Sequence, residues 1–161
     1  MLKLVIGNKN YSSWSLRPWL ALKVAGIPFE EILIPFGEPM CGPQFKAAVA
    51  QYSPSGKVPV LVDGDVSVWE SLSIFEYLAD KLPEAALWPA DIAARAHARA
   101  ICSEMHAGFS PLRNECPMNM RRPVTTRSVP DDVKANVARI DAIWTECRTR
   151  FGEGGPFLFG K

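Results

Sequence analysis

Apolar positions follow two different rhythms along this chain. Up to about residue 82, short apolar runs alternate with helical spacing; beyond it only helical spacing is found. Leu2-Lys3-Leu4-Val5-Ile6 is a compact run that stops at Asn8-Lys9-Asn10 and predicts a short buried strand. Leu16, Trp19, Leu20 and Val24 then recur three and four apart, which predicts a helix over about 16–25. Ser15 is its expected N-cap, Pro18 falls in its first turn, and Gly26 ends it. Ile32-Leu33-Ile34 marks a second strand over 31–35. A Pro/Gly-rich loop over 37–43 leads to a short helix near 44–51. Strands over 58–62 and 66–69 flank the tight turn Asp63-Gly64-Asp65, and a helix follows over 71–81 with Leu72, Phe75, Leu78 and Ala79 on one face. The order is βαβ, then α, then ββα.

The pattern changes at Leu82. Pro83-Glu84-Ala85-Ala86-Leu87-Trp88-Pro89 reads as a linker over 83–90, after which no strand pattern returns. An Ala-rich helix is expected from Ile92 to about Met105. Pro111, Pro117 and Pro123 mark a bend or break. A further helix to about Phe151 opens at Pro130-Asp131-Asp132, with Val133, Val137, Ile140 and Trp144 at helical spacing. The expected architecture is an α/β domain over 1–82 followed by an all-α domain over 91–161.

Composition narrows the function classes. At 161 residues the chain is long enough to bury roughly two-thirds of its unfolded surface. It is 48% hydrophobic and 22% charged, with mean hydropathy +0.01, which is ordinary globular material. Its 18 basic and 17 acidic residues leave a net charge of +1, so nothing in the charge favours nucleic acid or an anionic membrane as partner. No apolar run approaches the roughly 18 residues of a membrane span, and the N-terminal run lacks the flanks of a signal peptide. Cys41, Cys102, Cys116 and Cys147 form no Cys-x-x-Cys pair, and neither His97 nor His106 has acids or cysteines spaced for ligation. The expectation is a cytoplasmic protein with reduced thiols and no metal.

Three stretches carry candidate chemistry. Val58-Pro59 opens an inner strand, where proline is out of place. A cis bond there would turn the Val58 main chain outward to pair with an extended peptide; a trans proline at a strand's first position is the other reading. Glu70-Ser71 stands where a helix begins. It is either a simple N-cap or a carboxylate and ammonium site, since helix N-termini attract anions and Glu70 accepts from a cation. Tyr11-Ser12-Ser13-Trp14-Ser15 lies between the first strand and the first helix, where a hydroxyl can donate to a thiolate or merely cap the helix.

In their order and spacing these stretches resemble the glutathione S-transferase family. The phrases are Ser53-Pro54-Ser55-Gly56-Lys57-Val58-Pro59-Val60-Leu61 and Trp69-Glu70-Ser71-Leu72-Ser73-Ile74-Phe75-Glu76-Tyr77-Leu78. The resemblance covers the first domain throughout and implies a thioredoxin-like fold with a mixed four-stranded sheet. It implies glutathione as co-substrate with no tightly bound cofactor, a small hydrophobic electrophile as second substrate, and a homodimer. Ser12-Ser13-Trp14-Ser15 followed by Arg17 is similar to the serine-type motif of zeta-like members, which read Ser-Ser-Cys-Ser. By position, Ser12 matches the serine that activates the thiol and Ser13 a neighbour that touches glutathione. Gln44 and Lys57 match contacts to the glycyl end, Val58 the clamp on the cysteinyl unit, and Glu70 and Ser71 the γ-glutamyl anchors. Tyr11 is the alternative thiolate partner.

Trp14 stands where the zeta motif has a small cysteine, which points away from maleylacetoacetate isomerisation and toward a different electrophile. A glutathione-dependent isomerase and a non-catalytic glutathione-binding module are the alternatives to a transferase. In the family, Phe157-Leu158-Phe159-Gly160 runs into a Ser/Thr-x-x-Asp capping box and further helices. The resemblance therefore implies that the helical domain over 91–161 is incomplete.

Overall fold

The computed structural model describes residues 1–160. The chain divides into two compact units, Met1–Leu87 with Met118–Arg121, and Trp88–Pro117 with the residues from Arg122 onward. In the first unit, β1 (Leu2–Ile6), β2 (Phe29–Leu33), β3 (Val60–Asp63) and β4 (Val66–Trp69) form one sheet in the order β2-β1-β3-β4. β1 and β2 run parallel; β3 is antiparallel to β1, and β4 to β3. Helices α1 (Ser13–Val24), α2 (Pro43–Ala50) and α3 (Ser71–Lys81) cover its faces. This is the thioredoxin-like arrangement expected from the sequence.

The period-2 geometry of strands explains the two cores. On β1, Leu2, Leu4 and Ile6 point to one face, where they pack with Leu22 of α1 and Ile74 and Leu78 of α3. Val5 points to the other face and meets Val60 of β3 and Phe45 and Val49 of α2. β1 is thus buried on both sides, which is why it reads as an apolar run. The β3–β4 turn needs a positive φ at Gly64 (+58°), a conformation glycine adopts without a Cβ penalty. Asp63, at the end of β3, accepts the Tyr77 hydroxyl at 2.7 Å and pairs with Lys81, tying the hairpin to α3. Those two donors, Lys81 foremost, hold the Asp63 carboxyl below its ordinary range.

Several elements depart from the sequence reading. α1 begins at Ser13, so its N-cap is Ser12 rather than Ser15. Its buried face is Ser15, Pro18 and Leu22, while Leu20 and Val24 are exposed. β2 begins two residues earlier than expected, and β3 begins at Val60, because Pro59 has no N–H to give to the ladder. α3 spans the expected residues but buries Ile74 with Leu78, leaving Leu72 and Phe75 only partly covered.

The second unit contains α4 (Ile92–Ala107), α5 (Ser110–Glu115) and α6 (Asp131–Phe151). Where the prolines suggested a break, Pro111 sits in the first turn of the short α5, a place where its missing N–H costs nothing. Phe109, Ile143 and Cys147 form the buried centre, with Ile101, Met105, Leu112 and Ile140 around them. On α6 this buries Ile143 and Cys147 rather than Val137 and Trp144, both about half exposed. Arg139 of α6 makes a two-point contact with Glu104 of α4 at 2.7 and 2.8 Å, which holds the Glu104 carboxyl below its ordinary range. Among the described residues no helix is long and apolar enough to cross a membrane.

Asp91 caps α4: its Oδ2 accepts the Ala94 N–H at 2.7 Å. Asp91→Ala is expected to lower stability by about 1 kcal/mol, while Asp91→Gly costs only a few tenths. Denaturant unfolding of both variants checks this ranking; no loss in either variant would mean that the side-chain bond contributes nothing.

Candidate functional site

Strand direction gathers the candidate residues. Val5 of β1 pairs with Val60 of β3, and Val60 with Trp69 of β4. The C-terminal end of β1, the N-terminal end of β3 and the C-terminal end of β4 therefore lie side by side. β2, parallel to β1, ends on the same side. The segments leaving or entering at this end hold Ser12 and Ser13 after β1, Gln44 after β2, Lys57 and Val58 before β3, and Glu70 and Ser71 after β4. Residues spread over sixty positions are brought to one end of a single sheet.

Each is held differently. The Val58–Pro59 bond is cis, as one of the two sequence readings anticipated, and the half-buried Val58 stands outside the β3 ladder. Glu70 is the N-terminal flank of α3 with φ +67°, a left-handed conformation unusual for a residue with a Cβ. Ser71 is the first residue of α3 and 3% exposed, so its main chain stands among the helix's unpaired N–H groups. Gln44 is exposed in the first turn of α2, and Lys57 is exposed with its N–H on Ser55 Oγ at 3.2 Å. A second cis bond, Glu38–Pro39, lies in the loop before α2 and was not anticipated. That loop borders a cavity of about 430 Å³ that Gln44 also lines.

Ser12 is 6% exposed and sits at the end of α1, where its Oγ accepts the Ser15 N–H at 3.3 Å. Its hydroxyl lies 2.8 Å from Ser15 Oγ, which also accepts the Gly7 N–H at 3.2 Å. Ser15 is itself buried. The sequence reading gave it the cap and missed its contact with Ser12; the spacing of three that places an N-cap hydroxyl over the third helical residue was the available signal. Ser13 is half-buried at the first helical position, and Tyr11 is 42% exposed. Arg17 lies over the Trp14 ring, 4.0 Å from its centroid.

Beside Ser12 and Ser15 is a mostly apolar cavity of about 190 Å³, walled by Ile6, Leu16, Trp19 and Met120. Lys9 and Trp19 on its rim both bond Glu31, at 2.6 and 2.8 Å. Partial burial pushes the Glu31 carboxyl up, but these two donors outweigh it and hold it below its ordinary range. Among the described residues no three His, Cys, Asp or Glu side chains stand close enough to hold a metal ion.

The family model for the glutathione S-transferase N-terminal domain matches residues 11–81, a span that includes every candidate residue. The chain is 37% identical over 103 residues to a probable maleylacetoacetate isomerase of Caenorhabditis elegans, a match over 63% of this chain and 45% of that one. It is 36% identical over 110 residues to glutathione S-transferase Z1 of Arabidopsis thaliana, over 66% and 48%. The chain thus spans about half the length of the curated relatives it matches. In solved structures, human glutathione S-transferase T1-1 superposes with a TM-score of 0.63 at 27% identity, over 99% of this chain and 66% of that one. A glutathione transferase homolog from Burkholderia with bound glutathione superposes with a TM-score of 0.68 at 20% identity, over 99% and 72%, and shares the fold. Residues 11–81 thus form a glutathione S-transferase N-terminal domain, and zeta-class glutathione S-transferases are among the chain's relatives.

Proposed function

We propose that this chain binds glutathione at the strand-end site and activates its thiol for attack on a hydrophobic electrophile. The observation that carries the reading is the meeting, at one sheet end, of an outlying Val58 main chain, the start of α3 at Glu70-Ser71, and a hydroxyl at the start of α1. An extended tripeptide with a charged amino-acid group at one end and a carboxylate at the other suits that layout. The γ-glutamyl carboxylate goes to the Ser71 N–H and hydroxyl at the positive end of α3, and its ammonium to Glu70. The Val58 main chain pairs with the cysteinyl unit. Gln44 and Lys57 take the glycyl carboxylate.

With both ends held, the cysteinyl sulfur lies over the start of α1. Ser12 donates a hydrogen bond to it, with Ser13 beside it. A free thiol, with pKa about 8.5, is mostly protonated at neutral pH; a fixed donor favours the thiolate. The thiolate forms a carbon–sulfur bond to the electrophile, and the electron pair leaves with the displaced group or remains on the acceptor carbon. Glutathione is the co-substrate, and no tightly held cofactor takes part. The family resemblance also supports a homodimer acting in the cytoplasm on foreign or reactive electrophiles.

A second reading rests on the 37% identity to a probable maleylacetoacetate isomerase. An isomerase uses the same thiolate and returns it, so glutathione is not consumed. Trp14, bulky where the zeta motif has cysteine, favours conjugation. The test is retention on immobilised glutathione followed by conjugation of a general aryl halide. We expect retention and turnover. Retention with isomerisation and no loss of glutathione supports the second reading; retention without either reaction identifies a binding module, and no retention refutes the site.

A further inference from the structure

We propose that Ser15 is a positioning residue for the thiolate donor: its hydroxyl sets the direction in which Ser12 gives its proton. This rests on the reading of Ser12 as the thiolate's partner. A serine hydroxyl has one proton to donate and two lone pairs to accept with. A Ser12 hydroxyl that gives its proton to Ser15 Oγ, 2.8 Å away, has none left for a sulfur. It cannot donate to Ser15 and to a thiolate at once. For Ser12 to turn toward sulfur, the bond between the two hydroxyls has to reverse, with Ser15 as donor.

The surroundings make that reversal favourable. Ser15 Oγ is anchored from behind by the Gly7 N–H at 3.2 Å, so it keeps an accepted bond after giving its own proton to Ser12. Gly7 is fixed in turn. It directly follows β1, and a Cβ there would come 2.3 Å from the Phe36 ring, whose backbone N–H is held by Asn8 Oδ1 at 2.8 Å. After reversal Ser12 Oγ accepts twice, from the Ser15 N–H and the Ser15 hydroxyl, and has its proton free for the sulfur. A chain then runs from Gly7 N–H through Ser15 and Ser12 to the thiolate. No proton changes owner; each donor polarises the next, and burial of both serines, at 6% and 3% exposure, keeps competing water away. Alanine at 15 leaves Ser12 Oγ with the backbone N–H alone, and nothing then fixes the direction of its proton.

The test is the ultraviolet titration of enzyme-bound glutathione thiol, with steady-state kinetics, for wild type, Ser15→Ala, Ser15→Thr and Ser12→Ala. Ser15→Ala is expected to raise the apparent thiol pKa by about one unit, a tenfold change in the ionisation equilibrium. Its kcat/KM should fall about tenfold at neutral pH, with the glutathione KM within twofold of wild type and the loss shrinking at alkaline pH. Ser15→Thr keeps the hydroxyl and should restore the wild-type titration. If the alanine variant does not fold, Ser15→Cys, close in volume and a weaker donor, should shift the titration in the same direction. A wild-type titration in Ser15→Ala or Ser15→Cys, alongside a raised pKa in Ser12→Ala, overturns the role of Ser15 and leaves Ser12 standing. An unshifted titration in Ser12→Ala overturns both.

Discussion

Replacing Ser12 by alanine is expected to lower kcat/KM for glutathione conjugation by about 10²–10³-fold. That is the usual cost of losing one fixed donor to a developing or resident anion in a preorganised site. The hydroxyl is nearly buried at the start of α1, and its position is set by the Ser15 N–H and Ser15 Oγ rather than by solvent. Ser12 is also the N-cap, so alanine costs about 1 kcal/mol of helix stability as well. That is a modest part of a typical domain's 5–15 kcal/mol, so the variant should remain folded at about ordinary temperatures. Ser12→Gly separates the two roles: glycine is a tolerable N-cap but has no hydroxyl, so it should lose as much activity as alanine while keeping nearly wild-type stability. If both variants stay within twofold of wild type, Ser12 is not the donor. Tyr11→Phe and Ser13→Ala then become the decisive pair, since Tyr11 and Ser13 are the neighbouring hydroxyls and both are more accessible.

The contrast between what the sequence makes legible and what it hides has a physical basis. β4 and α3 are read to the residue because a turn glycine, the alternating Val66 and Val68, and an apolar helical period mark their limits independently. The gathering of Gln44, Val58, Glu70 and Ser71 follows from strand order and direction alone. The buried faces of α1 and α6 are harder. α1 packs on the sheet through Ser15 and Pro18, residues that a count of apolar positions ignores, and the larger Leu20 and Val24 are left at the surface. On α6, Cys147 is wholly buried where Trp144 seemed the larger hydrophobic prize, and burial pushes its thiol up. The pairing of Ser12 with Ser15 is hidden for a related reason. Either serine satisfies the local cap pattern, and the bond from the Gly7 N–H to Ser15 Oγ joins residues eight apart that no local pattern links.

The same issue of face on α3 gives the largest expected loss of stability. Ile74 is 0% exposed and packs with Leu4, Ile6, Leu22, Leu61 and Leu78, so Ile74→Ala should cost about 2–5 kcal/mol through lost transfer energy and the cavity left behind. Phe75, the residue that the apolar period favours, is only partly covered. It should cost at most about half as much despite its larger ring, because only area removed from water counts. Urea unfolding of the two variants ranks them. The ranking bears directly on the site, because Ser71 lies three residues before Ile74 on the same face of the helix. A larger loss at Phe75 would mean that α3 is rotated by about one residue, roughly 100°, about its axis. Ser71 would then no longer sit against the sheet end, and the γ-glutamyl anchor would have to be sought elsewhere on the helix. With Ile74 the costlier change, weakened glutathione retention in Ile74→Ala, measured where the variant is still folded, would show that the core beneath the first turn of α3 holds that anchor in place.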